Sequence, residues 1–289
     1  MSLKRLLVPL LEGDADRNTL LQAVEVAELW QAHVTVMHSG GHLSELVSPE
    51  SPQHSRFKPP LQVEARSLVA ERMKAAQDEF ETLATERGWS IADAPRTGLN
   101  CSMSFNARRG TVETAVQELA IYHDAIVFAR DPSVSAKELV ALGAIKAALE
   151  NCGRPLLILA RQLARPFATS VAIAWNGSIE GAHAVSAALP ILKRAKSVHV
   201  ITVATQKTAS EQATPMQDYL SWHGIPCTVH TPARGGGSVG STILREIESL
   251  GANLLVSGGY THNRVRQAVL GGVTHDLLSQ ERVSLLLAK

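Results

Sequence analysis

The chain alternates short, unbroken apolar runs with longer stretches in which apolar residues recur every three or four positions. In the C-terminal half the runs are "VAIAW" (171–175), "VHVITVA" (198–204), "LLVSG" (254–258) and "SLLLA" (284–288). Runs of this length without polar alternation predict strands buried on both faces, as in a parallel sheet covered by helices. Between them, "SIEGAHAVSAALPILKRA" places Ile179, Ala182, Val185, Leu189 and Leu192 on one helical face, with Pro190 disturbing the helix near its end. "TVETAVQELA" does the same with Val112, Ala115, Val116 and Leu119. Strands alternating with helices imply βαβ units and a parallel sheet with helices on both faces.

The pattern occurs twice. "RLLVPLLEGDADRNTLLQAVEVAELWQAHVTVMHS" (5–39) matches "SVAIAWNGSIEGAHAVSAALPILKRAKSVHVITVAT" (170–205): strand, glycine-containing turn, amphipathic helix, second strand. "HDAIVFAR" (123–130) matches "ANLLVSGG" (252–259), and "GRPLLILA" (153–160) matches "ERVSLLLA" (281–288). Pro9 stands opposite Ala174, and Ala160 opposite Ala288. Two α/β domains follow, 1–162 and 168–289, joined near "ARQLARPFAT". The first is longer between its second and later strands. Residues 39–62, rich in Pro, Ser and Gly, read as most of that insertion and as a surface loop.

Composition narrows the function classes. The 289 residues are 45% hydrophobic and 19% charged, with net charge +1. Neither a nucleic-acid partner nor a membrane span is indicated. Cys101, Cys152 and Cys227 are widely spaced and form no CxxC, which fits a reducing cytoplasm rather than a disulfide framework or zinc site. No signal peptide is read at the N-terminus.

In an open parallel sheet, ligands bind beyond the carboxyl ends of the strands, where strand order switches. Two loops of the second half qualify: "WNGS" (175–178) after its first strand and "SGGYTH" (257–262) after its fourth. A helix starting near Val273 presents its N-terminus, where free N–H groups and the helix dipole favour an anion. Glycine lets backbone approach a phosphate closely. Thr274 can donate a hydroxyl, and Arg264 and Arg266 supply charge.

On these residues the chain resembles the universal stress protein family, as a tandem of two UspA-type domains, most closely over 170–289. The ATP-binding branch of that family carries G-x2-G-x9-G-[S/T] after the fourth strand. Here the first glycine is Gly258, the second position is Thr261, and Gly271 follows after nine intervening residues with Gly272 at the Ser/Thr position. The family's nucleoside-contacting Asp after the first strand is Asn176 here. The resemblance implies an α/β fold of two tandem Rossmann-like (adenine nucleotide alpha hydrolase-like) domains, each a five-stranded, mainly parallel sheet flanked by helices. It implies a stress-response protein whose ligand is ATP or another adenine nucleotide, with Mg alongside it. Asn176 and the strand end at Val203 hold the nucleoside. Gly258, Gly259, Gly271, Gly272 and Thr274 hold phosphates, aided by His262 and Arg264. Ala174, Trp175, Ser257 and Val273 complete the set. Thr261, Gly272 and Asn176 depart from the motif and weaken the site: a β-branched residue at positive φ costs on the order of 1–2 kcal/mol, Gly272 lacks the hydroxyl, and Asn176 cannot accept as a carboxylate does. No general base is evident, so any ATP hydrolysis is slow. The first half has no glycine pair after "AIVFAR", and its nucleotide site reads as absent. The family's apolar closing strands, "PLLILA" and "SLLLA" here, imply pairing, as a homodimer or as a pseudo-dimer of the two halves.

Other readings compete. A dimeric scaffold of the same fold that binds no nucleotide needs the glycines only as connectors. "GGGSVG" (235–240) fits G-x-G-x-x-G but lacks the acidic residue a dinucleotide site needs, so a flexible loop with a helix cap at Ser238 or Ser241 is favoured. "SGGYTH" lacks the Asp and Ser of an ATP pyrophosphatase loop. His38, His42 and His54 cluster in the insertion without the spacing of a metal site, and read as surface histidines. Ser178 and Ser257 lie in no G-x-S-x-G elbow.

Overall fold

The computed structural model describes residues 3–11, 15–40, 59–94, 101–130, 135–204, 209–259 and 272–289. The chain divides into two compact units at Arg154/Pro155.

In the N-terminal unit, β1 (Arg5–Pro9), β2 (His33–Ser39), β3 (Ser90–Ile91), β4 (Ser102–Arg108) and β5 (Ala125–Ala129) lie in the order β3-β4-β2-β1-β5. Every pair is parallel. Leu6, Leu7 and Val8 of the central strand are wholly buried, as expected for a strand covered on both faces. α1 (Ala15–Glu28) and α2 (Pro59–Arg87) pack together, while α3 (Val112–Ala120) packs on α4 (Ser135–Asn151). The predicted face of α3 is the buried one: Val112, Ala115, Val116 and Leu119 all face inward. Thr111 caps that helix by accepting a hydrogen bond from the Thr114 N–H.

The insertion differs from expectation at both ends. Strand β2 runs through Ser39, and α2 already starts at Pro59; residues 41–58 lie outside the described residues. Proline is tolerated in a first helical turn, so "KPPLQ" begins a helix rather than a loop. With 29 residues, α2 is about twice as long as its 14-residue counterpart in the second unit, and so takes up much of the extra length. Its buried stripe is Ala65, Ala76, Phe80, Leu83 and Ala84, while Leu61, Val63 and Leu68 stay exposed. His38 is a second correction. It is 1% exposed, not on the surface, and stacks on Phe105, which in turn meets Phe80 of α2. His42 and His54 fall outside the described residues. Among the described residues no cluster of three or more His, Cys, Asp or Glu is arranged to hold a metal.

In the C-terminal unit, β6 (Leu156–Leu159), β7 (Ser170–Ala174), β8 (Ser197–Ile201), β9 (Thr228–His230), β10 (Leu254–Gly258) and β11 (Ser284–Ala288) take the order β6-β11-β10-β7-β8-β9. All pairs are parallel except β6 with β11. Thus "LLIL", read as the closing strand of the first half, clusters with the second unit and runs antiparallel to its matching repeat. The helices are α5 (Ile179–Leu192), α6 (Ala209–Trp222), α7 (Val239–Leu250) and α8 (Gly272–Ser279). α5 packs on β7, β10 and β11, α6 on β8 and β9, and α7 on α8 and β7. No described helix is long and apolar enough to cross a membrane.

The buried face of α5 keeps Val185 and Leu192 of the predicted face but is otherwise rotated from it. Gly181, Ala184, Val185, Ala188, Ile191 and Leu192 face inward, whereas Ile179 is 69% exposed and Ala182 is also exposed. Small residues bring the helix close to the sheet, so they take the inner face although larger apolar residues lie beside them. Pro190 sits inside the last turn, and the helix ends at Leu192. Ser238 is the cap of α7, accepting from the Ser241 N–H. Gly251 ends that helix in the left-handed conformation that glycine adopts without strain, at φ +60.

The N-terminal unit contains an acid-sensitive point. His33 Nδ1 and Nε2 lie 2.8 and 3.0 Å from Ser102 Oγ and Ser104 Oγ. Burial, reinforced by Arg5 and His123 and opposed by Asp93, lowers its pKa from 6.5 to about 4. The unfolded chain therefore takes up a proton below pH 6.5 that the folded chain refuses until about pH 4. Stability associated with neutral His33 is complete above that window and is lost as pH falls through it. The midpoint of urea unfolding should therefore drop between pH 7 and pH 4, and drop less in His33→Gln. An equal drop in the variant would show that His33 is not responsible.

Candidate functional site

The switch in strand order lies between β7 and β10. From β7 the chain moves to β8 and β9 on one side, then returns to β10 on the other. Ala174 and Ser257 are register partners at the carboxyl edge, with Gly258 one residue beyond. Val203 lies just past β8, next to Ala204, which bridges to Ala233. The structure thus brings Ala174, Trp175, Ser257, Gly258 and Val203 to adjoining strand ends. Gly259 is pinned there by its N–H, which donates to Ala288 O at 2.7 Å. Gly272, Val273 and Thr274 form the first turn of α8, with Thr274 buried and Gly272 exposed. Thr261, His262, Arg264, Arg266 and Gly271 lie outside the described residues.

The turn after β7 is built by its own polar groups. Asn176 Oδ1 accepts from Ser178 N–H at 3.1 Å. Ser178 Oγ accepts from Gly181 N–H at 3.0 Å and caps α5. Between them Gly177 adopts φ +72. The consequence for ligand chemistry is specific: the oxygen of Asn176 faces a backbone donor, so this residue offers its amide N–H groups outward. The Trp175 N–H donates to Ile201 O, and its ring edge stands beside Gly181, where a Cβ would come within 3.2 Å. Neither Ser178, which caps a helix, nor Ser257, whose hydroxyl donates to Gly258 O at 3.2 Å, is set up as a nucleophile.

Gly258 has a structural reason to be glycine. A Cβ there would lie 2.7 Å from Gly181 N and 2.9 Å from Glu180 C, backbone atoms of α5. At Gly272 a Cβ would meet no atom of the described residues within 4 Å. The first motif glycine therefore serves packing, while the glycine at the Ser/Thr position has no described neighbour at its Cβ site.

The "GGGSVG" stretch is closed to a dinucleotide by the protein's own carboxylate. Ser238 Oγ donates to Asp276 Oδ2 at 2.6 Å, and that oxygen lies 2.5 Å from where a Cβ on Gly240 would stand. Asp276 of α8 thus occupies the N-terminus of α7, the position a pyrophosphate would take.

One polar cluster is not legible from sequence. His199 Nδ1 lies 3.2 Å from His230 Nε2, and His230 Nδ1 lies 3.3 Å from Glu246 Oε1. Burial, with His230 adding to it, lowers the pKa of His199. Register between β8 and β9 and the placement of α7 create this chain of three, and no spacing announces it.

Replacing Gly258 by Ala should lower stability by about 1–3 kcal/mol through the clash with α5 backbone, with or without nucleotide. Gly272→Ala should stay within about 0.5 kcal/mol of the parent. Urea unfolding distinguishes them; equal midpoints for parent and Gly258→Ala would refute the packing role.

No family model and no curated protein sequence matches the chain. Solved structures do. A universal stress protein from Archaeoglobus fulgidus DSM 4304 aligns with TM-score 0.70 over 99% of this chain and 96% of its own, at 14% identity. A candidate universal stress protein from Pseudomonas aeruginosa UCBPP-PA14 aligns with TM-score 0.55 over 99% and 93%, at 17% identity. The cytoplasmic domain of a prokaryotic cation chloride cotransporter aligns with TM-score 0.50 over 98% and 94%, at 11% identity. The chain therefore has the fold of universal stress protein structures along nearly its whole length.

Proposed function

We propose that this is a stress-response protein of the cytoplasm whose C-terminal unit binds ATP or a related adenine nucleotide, with Mg accompanying the phosphates. The observation that carries the reading is the switch point between β7 and β10, flanked by the Asn176 turn, together with an α8 N-terminus where a Cβ on Gly272 meets no described atom within 4 Å. Phosphates would lie toward Gly272, Val273 and Thr274, with Gly271, His262 and Arg264 contributing from the residues that precede α8 in sequence. The nucleoside would lie toward Trp175, Asn176 and Val203. Asn176 would donate to an acceptor on the ligand, where a carboxylate would accept from hydroxyls.

A second reading has specific support. Gly258 is explained by packing alone, and Asn176 Oδ1 is engaged within the turn. A protein of this fold that binds partners rather than nucleotide is consistent with both, and the likeness to the cytoplasmic domain of a cotransporter shows the fold in another setting.

Calorimetric titration of ATP and AMP into the full chain separates the two. Binding in the parent, weakened at least about tenfold by Gly272→Asp, is the expected result, because a carboxylate at the N-terminus of α8 competes with phosphate. At the Cβ position the substitution meets no described atom within 4 Å. Absence of heat at millimolar nucleotide would leave the partner-binding reading.

A further inference from the structure

The β2–β4 pair carries a polar stripe on one face. His33 contacts Ser102 and Ser104, and Ser104 Oγ donates to Thr35 Oγ1 at 3.5 Å, so odd positions of β2 and even positions of β4 share that face. Cross-strand register pairs Ser39 with Arg108 at the top of the same stripe. The lower part is internally hydrogen-bonded; the top is not. Ser39 is 1% exposed, and its Oγ has no hydrogen-bond partner among the described residues. The Nε of Arg108 is likewise out of solvent and without a partner among the described residues.

Leaving such groups unmade is costly, most of all for an ionised one. Arginine cannot escape by losing its proton. Two adjacent donors therefore await an acceptor, and beside a guanidinium that acceptor is an anion. The pair lies at the carboxyl edge of a parallel sheet, where ligands bind in such folds. Other features add positive potential there. Gly110, at φ +91, turns the chain directly into the capped N-terminus of α3. Arg109 and Arg130 follow β4 and β5 directly. The acidic residue of that first turn is Glu113, whose carboxylate lies beside Gly143 of α4.

We propose that the N-terminal unit binds an oxyanion, a phosphate or phosphomonoester group, between Arg108 and Ser39. The Nε–H and one Nη–H of Arg108 take two oxygens side by side, the strong bidentate geometry of a guanidinium, and the Ser39 hydroxyl takes a third contact. The site is separate from the nucleotide site of the C-terminal unit and does not depend on it.

The test is thermal unfolding of the full chain in increasing inorganic phosphate at constant ionic strength, with AMP as a second arm. Phosphate should raise Tm by about 2–4 °C. Arg108→Met should abolish the rise, and without phosphate should melt no lower than the parent, since it removes an unpaired buried donor. Ser39→Ala should fold normally and require about three- to tenfold more phosphate for the same shift. An Arg108-dependent response to AMP at lower concentration than to phosphate assigns the ligand as a phosphomonoester; equal responses assign a free anion. No phosphate-dependent rise in the parent, or the same rise in both variants, would overturn the proposal.

Discussion

The two-sided burial of the central strands β1 and β7 is the constraint on which the rest depends. A parallel strand flanked by strands and covered on both faces leaves no place for an ionisable side chain along its length. Leu6, Leu7 and Val8 in one unit, and Val171, Ala172 and Ile173 in the other, leave essentially nothing exposed. Chemistry is thereby driven to two locations: the carboxyl ends of the strands, and the outer strands. The turn at Asn176, the packing of Gly258 and the unpartnered Ser39–Arg108 pair all lie at strand ends.

The outer strands hold the remaining polar groups, and they do so alike in both units. Thr35 and His199 each occupy the third position of the strand that follows the central one, β2 and β8, and each contacts the neighbouring outer strand, through Ser104 and His230 respectively. The repeat has thus kept the location of a polar layer while changing its members. In one unit a histidine is held neutral among serines; in the other two imidazoles stand in line with Glu246. The ligand edges have diverged as well. The C-terminal unit offers a helix N-terminus at Gly272, where a Cβ meets no described atom within 4 Å, and the N-terminal unit offers an arginine.

Close approach accounts for the places where sequence patterns mislead. A periodicity count puts Ile179 and Leu189 on the inner face of α5 because they recur at helical spacing with Val185 and Leu192. The sheet instead meets Gly181, Ala184 and Ala188, since only small residues let α5 come near enough for Gly258 to touch its backbone. The "GGGSVG" stretch shows the same limit from the other side. Its spacing matches a dinucleotide fingerprint, yet Asp276, distant in sequence, supplies the anion at that helix end. His38 was read from its composition-biased neighbourhood, whereas its stacking on Phe105 comes from strand pairing.

By itself the sequence determined the repeat, the strand–helix alternation, the central and apolar strands of each half, and which residues follow the strands at the switch in order. These follow from local periodicity and from the burial that continuous apolar runs require, both properties of neighbouring residues. Only the tertiary structure decided which helix face is inner, why Gly258 must be glycine, that β6 pairs antiparallel with β11, and which polar atoms are left without partners. Each of these is settled by contacts between residues far apart in the chain, and no sequence spacing encodes the distance of closest approach.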